Sequence, residues 1–353
     1  MKLKKLFAGV VAAAMIATMS FPAFAATVSV KAEPVTEVTF TKNLTVPNVG
    51  TTAPSLTYKF VLAPSSAVDG QNKSITMPDI TGARADGSKE YETTAPIGGD
   101  VKTGSFTLEL SDLNIKRVGI YKYTVTEVST DKVAGITYAT ALDMKVSAVN
   151  GENGIKYYVA LREQGAADTD KTNKVEATNA FTNTYNAGTL KVEKTVEGNM
   201  SDHDQYFTFK VVFNANGHDV SHANIGVIYT SGHDTADGSA APGNQPTTTT
   251  ISFGDEGNTF YLKHGDTIAF TNVPYGVTYT VEETEKAGYK AEGEVTTANE
   301  FDQPEEDVAI VNTLGNGEID TGVILDNAPY ILMLAVVAGA AMTLVIKKRR
   351  EEE

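Results

Sequence analysis

Between the two ends of the chain, apolar side chains recur at every second position, run after run. Residues 35–46 (VTEVTFTKNLTV) largely alternate apolar and polar, and so do residues 56–62, 105–110, 121–128 and 156–161. Successive side chains leave a strand on opposite faces, so period-two runs rich in Val, Thr and Tyr are the signature of half-buried strands. Turn clusters separate the runs, among them Asp69-Gly70-Gln71-Asn72 and Ala85-Asp86-Gly87-Ser88. No amphipathic helix of any length competes with this pattern. The chain is therefore confined to an all-β architecture, and many short strands at this spacing predict sandwich domains of the immunoglobulin sort.

Two apolar runs break the alternation, one at each end. Lys2, Lys4 and Lys5 precede an apolar stretch over residues 6–19, and Ala23-Phe24-Ala25 follows it. That order predicts a cleaved signal peptide over residues 1–25 and a mature chain beginning at Ala26. Near the other end, residues 328–346 are nineteen positions without a charge, followed by Lys347, Lys348, Arg349 and Arg350. Nineteen residues are just enough for a transmembrane helix, and the basic cluster is expected on the cytoplasmic side. The expectation is an exported protein whose precursor is held in the membrane by its C-terminal helix.

Composition excludes several function classes. The chain has 29 Lys+Arg against 44 Asp+Glu, a formal net charge of −15, and removing both expected processed ends makes it more acidic still. Such a surface repels nucleic acid. With no Cys, an exported chain has no disulfides, no thiol nucleophile and no thioester. About 290 residues remain after trimming, enough for two ordinary domains. No G-x-S-x-G, P-loop or H-E-x-x-H motif occurs. His218 and His222 are spaced H-x-x-x-H with Asp219 beside the first, but Asn216-Gly217 precedes them in a loop-like stretch without a firm third ligand. No metal and no cofactor are expected.

The chain repeats itself once, loosely. Lys42 and Lys194 lie in early strands of the two halves. Gly119-Ile-Tyr-Lys-Tyr-Thr-Val-Thr-Glu127 is similar to Gly276-Val-Thr-Tyr-Thr-Val-Glu-Glu283, and Ala180-Phe-Thr-Asn183 to Ile310-Val-Asn312. Each half thus runs strand-Lys, strand-Glu, strand-Asn. The boundary falls at Tyr185-Asn186-Ala187-Gly188, which divides the chain into an N-terminal domain over 26–186 and a C-terminal one over 187–314. A joint this short predicts end-to-end stacking with limited freedom. Residues 231–250 read as an exposed polar loop, and residues 315–353 as a C-terminal signal containing the membrane span.

A Lys amine can attack an Asn carboxamide, release ammonia and leave an isopeptide bond. Desolvation in a core supplies a neutral amine, because burial lowers the Lys pKa. A buried carboxylic acid stays protonated and can polarise the amide carbonyl. Holding the groups in contact supplies effective molarities on the order of 10⁵ M or more. A fold of this kind can run the reaction on itself once, without a cofactor, which is not enzyme turnover.

With these motifs the mature chain resembles the major, or shaft, pilins of Gram-positive sortase-assembled pili, in particular the two-domain pilin type of group A streptococci. Phe40-Thr-Lys42-Asn-Leu is similar to that family's first-strand Lys motif. Tyr279-Thr-Val-Glu-Glu283-Thr284 is similar to its E-box, in which the Glu before Thr assists bond formation, and Tyr123-Thr-Val-Thr-Glu127 is the counterpart. The resemblance implies isopeptide bonds from Lys42 to Asn183 and from Lys194 to Asn312, assisted by Glu127 and Glu283. It also implies that Glu318-Ile-Asp-Thr321-Gly322, directly before the apolar span, is a sortase signal, cleaved between Thr321 and Gly322. Ile319 and Asp320 stand where common signals place a Pro, which points to a dedicated pilus sortase. The amine that receives Thr321 is expected at Lys174, with Lys171 as the alternative.

These readings lead to a structural protein of the cell surface: a pilus shaft subunit whose partners are a pilus sortase, further copies of itself, minor tip and basal pilins, and cell-wall peptidoglycan. The membrane is only a transient hold. The rival is a wall-anchored adhesin that stays monomeric, or a basal pilin.

Overall fold

The computed structural model describes residues 33–129, 132–167, 174–230, 251–284 and 288–315. The expected signal peptide, the polar excursion 231–250, Lys171, Thr321, Gly322 and the apolar span 328–346 lie outside the described residues.

Ten strands build the first domain: β1 (Glu37–Thr45), β2 (Lys59–Val68), β3 (Lys89–Glu92), β4 (Thr103–Glu109), β5 (Gly119–Glu127), β6 (Ile136–Thr137), β7 (Leu142–Gly151), β8 (Gly154–Glu163), β9 (Lys174–Val175) and β10 (Phe181–Tyr185). They form two sheets, ordered β4-β1-β10-β6 and β3-β2-β5-β7-β8-β9. Two short 3₁₀ turns, Leu110–Leu113 and Ala177–Asn179, are the helical elements among the described residues. The alternation read from the sequence decides which way each strand faces. In β1, Val38, Phe40, Lys42 and Leu44 point inward, and in β5 Tyr121, Tyr123, Val125 and Glu127 do.

The core between the sheets is centred on four phenylalanines. Phe60 lies 4.2 Å from Phe106 and 4.8 Å from Phe181 between ring centroids, and Phe40 stacks on Phe106 at 4.9 Å. All four are essentially sealed from solvent. Each buried ring contributes about 1.5–3 kcal/mol through the hydrophobic effect. Offset and tilted ring pairs add about 0.5–1.5 kcal/mol beyond area.

The second domain is built from β11 (Ala187–Glu197), β12 (Phe207–Asn214), β13 (Gly226–Thr230), β14 (Asn258–Leu262), β15 (Thr267–Pro274), β16 (Thr278–Glu283), β17 (Lys290–Glu292), β18 (Val295–Glu300) and β19 (Glu305–Thr313). Its sheets are ordered β13-β15-β11-β19-β17 and β14-β12-β16-β18. Its separate core gathers Phe207, Phe209, Phe213, Phe260 and Phe270 with Leu190, Val192 and Ile310. The expected all-β pair of tandem sandwiches is the observed architecture.

In both domains the first and last strands are neighbours and run parallel, while nearly every other pairing is antiparallel. β1 pairs with β10 and β11 with β19. A parallel pair cannot close through a short hairpin, so the whole domain is the crossover between the two strands.

Only Asn186 separates β10 from β11. Side chains brace the joint. The Thr52 N–H donates to Asn272 Oδ1 at 2.9 Å, and Asn272 Nδ2 donates back to Thr52 O at 3.1 Å. Asn48 Nδ2 donates to Ala187 O at 2.8 Å and to the Tyr275 hydroxyl at 3.0 Å. At Gly135, φ is +79° and a Cβ would stand 2.6 Å from Asn186 O, so the turn beside the joint requires glycine.

Two buried lysine–carboxyl–asparagine sites

Lys42 is fully buried, which is rare for a lysine without a specific partner. It sits on β1, inward by the same alternation that buries Phe40 and Leu44. Asn183, also fully buried, lies on β10 opposite Leu44, one diagonal step from Lys42. Glu127 ends β5 in the opposing sheet and reaches across the core. Its carboxylate accepts from Lys42 Nζ at 2.9 Å through Oε2 and from Asn183 Nδ2 at 2.8 Å through Oε1. The carboxyl therefore bridges the lysine amine and the asparagine amide nitrogen.

The second domain repeats the arrangement. Lys194 on β11 and Asn312 on β19 are fully buried, with Asn312 opposite Val196, again two residues beyond the lysine. Glu283 ends β16 and accepts from Lys194 Nζ at 3.1 Å and from Asn312 Nδ2 at 2.7 Å. The two glutamates also hold equivalent register positions, Glu127 opposite Phe60 and Glu283 opposite Phe209.

Taking an ion pair out of water costs several kcal/mol per charge, and the pair's attraction rarely repays it in full. A buried Lys-Glu pair is therefore poised to exchange its proton and become a neutral pair. Burial holds the Lys42 amine down at about 8, against a partly opposing pull from Glu127. Burial likewise pushes the Glu127 carboxyl up, against Lys42 and Asn183. Both directions favour the neutral amine and the protonated acid that amide attack needs.

Aromatic rings wall off both sites. Lys42 Nζ lies 4.8 Å from the Tyr58 ring centroid, and Lys194 Nζ lies 4.5 Å from that of Phe207 and 5.6 Å from that of Phe209. Tyr58 and Phe207 are equivalent, each two residues before the phenylalanine that faces the glutamate. The lysine-glutamate-asparagine spacing does not reveal these rings. The signal available was the aromatic pair at i and i+2, Tyr58 with Phe60 and Phe207 with Phe209.

The structure thus brings the six expected triad residues together in two sets of three. Lys174 is half-buried at the sheet edge, opposite Arg162. His218 lies in a loop with Nδ1 3.2 Å from Lys132 O, and no group of three metal-type ligands occurs among the described residues.

Fold and sites together define a class: tandem β-sandwich proteins whose domains each enclose a Lys-Glu-Asn triad between first and last strand. Residues 38–186 match the Spy0128-like isopeptide-containing domain family, and residues 188–314 match a family of domains of unknown function. The chain is 27% identical over 345 residues to a pilin of Streptococcus pyogenes serotype M1, covering 88% of this chain and 91% of that protein. Among solved structures, the major pilin of Streptococcus pyogenes is similar at 24% identity and a TM-score of 0.48, over 80% of this chain and 98% of that one. The T3.2 major pilin of the same species is similar at 22% identity and 0.49, over 80% and 98%. The chain is thus similar to streptococcal pilins, and its first domain matches the isopeptide-containing domain family.

Proposed function

We propose that the chain is the backbone subunit of a covalently polymerised cell-surface pilus, stabilised by two intramolecular isopeptide bonds. The observation that carries this reading is the pair of buried triads, each joining the first strand of its domain to the last. In the first domain, neutral Lys42 Nζ attacks Asn183 Cγ. The new C–N bond forms, the Cγ–Nδ2 bond breaks, and Glu127 carries the proton from Nζ to the departing ammonia. Lys194, Glu283 and Asn312 do the same in the second domain. Each site turns over once, so the protein is a self-modifying structural subunit and not an enzyme.

Polymerisation needs a second covalent chemistry. A pilus sortase cleaves after Thr321, holds it as a thioacyl intermediate, and passes it to an amine of the next subunit, Lys174 or its alternative Lys171. The kinship with a streptococcal pilin supports this reading, as does the order Thr321-Gly322, apolar span, basic cluster in the sequence. Further copies of the chain, minor tip and basal pilins and peptidoglycan are the remaining partners.

An immunoblot of the surface fraction after boiling in SDS tests the proposal. A regular high-mass ladder is expected. A single band would instead sink the polymer reading and favour its rival, a monomeric wall-anchored adhesin or a basal pilin.

A further inference from the structure

The two triads are alike in lysine, glutamate and asparagine, but they differ around the asparagine carbonyl. Asn183 Oδ1 accepts from the Ala139 backbone N–H at 2.8 Å. Only the oxygen of the carboxamide can accept there, so that contact turns Nδ2 towards Glu127, which accepts from it. Asn312 Oδ1 is buried without a hydrogen-bond donor among the described residues. A second difference lies on the aromatic wall. The Tyr58 hydroxyl is buried beside Asn183, Glu127 and Tyr138, short of a well-formed hydrogen bond. The equivalent position in the second domain is Phe207, which has no hydroxyl. A buried hydroxyl without a partner costs about 1–3 kcal/mol in a resting fold, and phenylalanine would avoid that cost.

Resting on the isopeptide reading above, we propose that the Ala139 N–H and the Tyr58 O–H form an oxyanion-stabilising pair that serves the Lys42-to-Asn183 bond alone. When Lys42 Nζ adds to Cγ, the carbonyl oxygen becomes a tetrahedral oxyanion and moves out of the amide plane. The Ala139 N–H already points at that oxygen. The Tyr58 O–H swings onto it and satisfies its own unmet hydrogen bond only then. Both donors keep their protons throughout. As the tetrahedral centre collapses, Nδ2 leaves as ammonia with the proton that Glu127 relays from Nζ. A donor that pairs only in the transition state lowers the barrier without stabilising the starting amide. The second domain offers neither donor to Asn312 Oδ1 among the described residues, and its Glu283 meets Asn312 at the nitrogen.

The two bonds of one chain form under identical conditions, so each is the control for the other. Residues 26–321 are made by cell-free synthesis, sampled over time, and followed by intact mass and by the two crosslinked peptides. Tyr58→Phe keeps the ring and the packing and removes only the hydroxyl. It is expected to slow the Lys42-to-Asn183 bond by about a hundredfold to a thousandfold. The Lys194-to-Asn312 bond should keep its rate, and the thermal midpoint of the fully linked product should not fall. Ala139→Pro removes the other donor and should slow the same bond and not its twin. A Tyr58→Phe chain that closes the first bond at the parent rate overturns the assignment. Absence of both bonds from the parent chain overturns the isopeptide reading beneath it.

Discussion

Lys42 and Asn183 lie on adjacent parallel strands, with Asn183 opposite Leu44 and not opposite Lys42 itself. The same two-residue offset separates Lys194 from Asn312, which faces Val196. The offset follows from length. A lysine amine reaches several bonds beyond its Cβ, whereas an asparagine carboxamide stays close to its own. A directly opposite pair would crowd, and a diagonal pair on one face lets the long side chain lie along the strand to meet the short one. Parallel pairing makes the same offset available in both domains, because register and direction are then the same in each.

If each glutamate serves only its own domain, single substitutions separate the two reactions. Residues 26–321 should be lighter than the sequence mass by about 34 Da, since each condensation releases one ammonia of about 17 Da. Glu127→Ala and Glu283→Ala should each restore about 17 Da, and tryptic mapping should find only the bond of the unaltered domain. An unshifted parent mass would refute both triads.

Closing a domain from first strand to last should stabilise it chiefly by restricting the unfolded chain. The two loops enclose 141 and 118 residues, by difference of the linked positions. Closure entropy grows only with the logarithm of length, so the bonds should be worth nearly the same. Asn312→Ala is expected to cost roughly 2–5 kcal/mol, by analogy with native disulfides, and Asn183→Ala a similar amount. Calorimetry of the two variants reads this directly. A cost in one domain alone would contradict the entropic account.

Much of each site is legible in the alternation. Tyr123, Val125 and Glu127 share one face of their strand, as do Tyr279, Val281 and Glu283, and the first two of each set are apolar enough to declare that face inward. A glutamate in phase with them must be buried. Lys42 between Phe40 and Leu44 obeys the same rule. The parallel pairing of β1 with β10 is not legible, because the packing of both sheets sets the register of strands so distant in sequence. The Ala139 N–H is invisible for another reason: a backbone donor carries no residue signature. Lys263 and Asp266, fully buried at the turn beside Lys194, also escape a reading by strand periodicity, since turns have no period.

The rate of the first bond should depend on pH in a bell. At acid pH both Lys42 and Glu127 carry protons, and a protonated amine has no lone pair to attack with. Loss of one proton from the pair admits the reactive form, neutral amine with protonated acid, so the rate rises through the upward-shifted Glu127 titration. Loss of the second proton leaves a carboxylate that cannot donate, and the rate falls above the Lys42 value of about 8. Cell-free synthesis buffered across this range, with quantitation of the crosslinked peptide, would show the two limbs. A rate that keeps climbing well beyond pH 8 would mean that Glu127 is not needed as an acid.

The joint between domains rests heavily on Asn272. It exchanges two hydrogen bonds with Thr52 and donates a third to Asn224 O at 3.0 Å, from a left-handed backbone at φ +60° that Asn tolerates better than Ala. Asn272→Ala should therefore cost about 1–3 kcal/mol. The loss should appear as faster hydrogen exchange at the Thr52 amide, with the Lys42 and Lys194 strands unaffected. Unchanged exchange at Thr52 would remove Asn272 from the joint.

Under tension the two bonds should not be equivalent. A subunit linked through Lys174 receives load just ahead of β10, passes it through Asn183 and Asn186 into β11, and meets the Lys194-to-Asn312 bond eight residues past Asn186. From Lys194 the load crosses to Asn312 and leaves along the end of β19, so the intervening strands of the second domain carry none of it. The Lys42-to-Asn183 bond branches off this line and only clamps β1 beside β10. Pulling between residues 174 and 321 should therefore show no domain unfolding in the parent chain. Asn312→Ala should add one extension of roughly 400 Å, the length of about 118 freed residues at about 3.5 Å each. Asn183→Ala should add none. If the linking amine is Lys171 the line is the same. If it lay ahead of β1, Asn183→Ala would release a comparable length, so the experiment also reports which side of β10 receives the load.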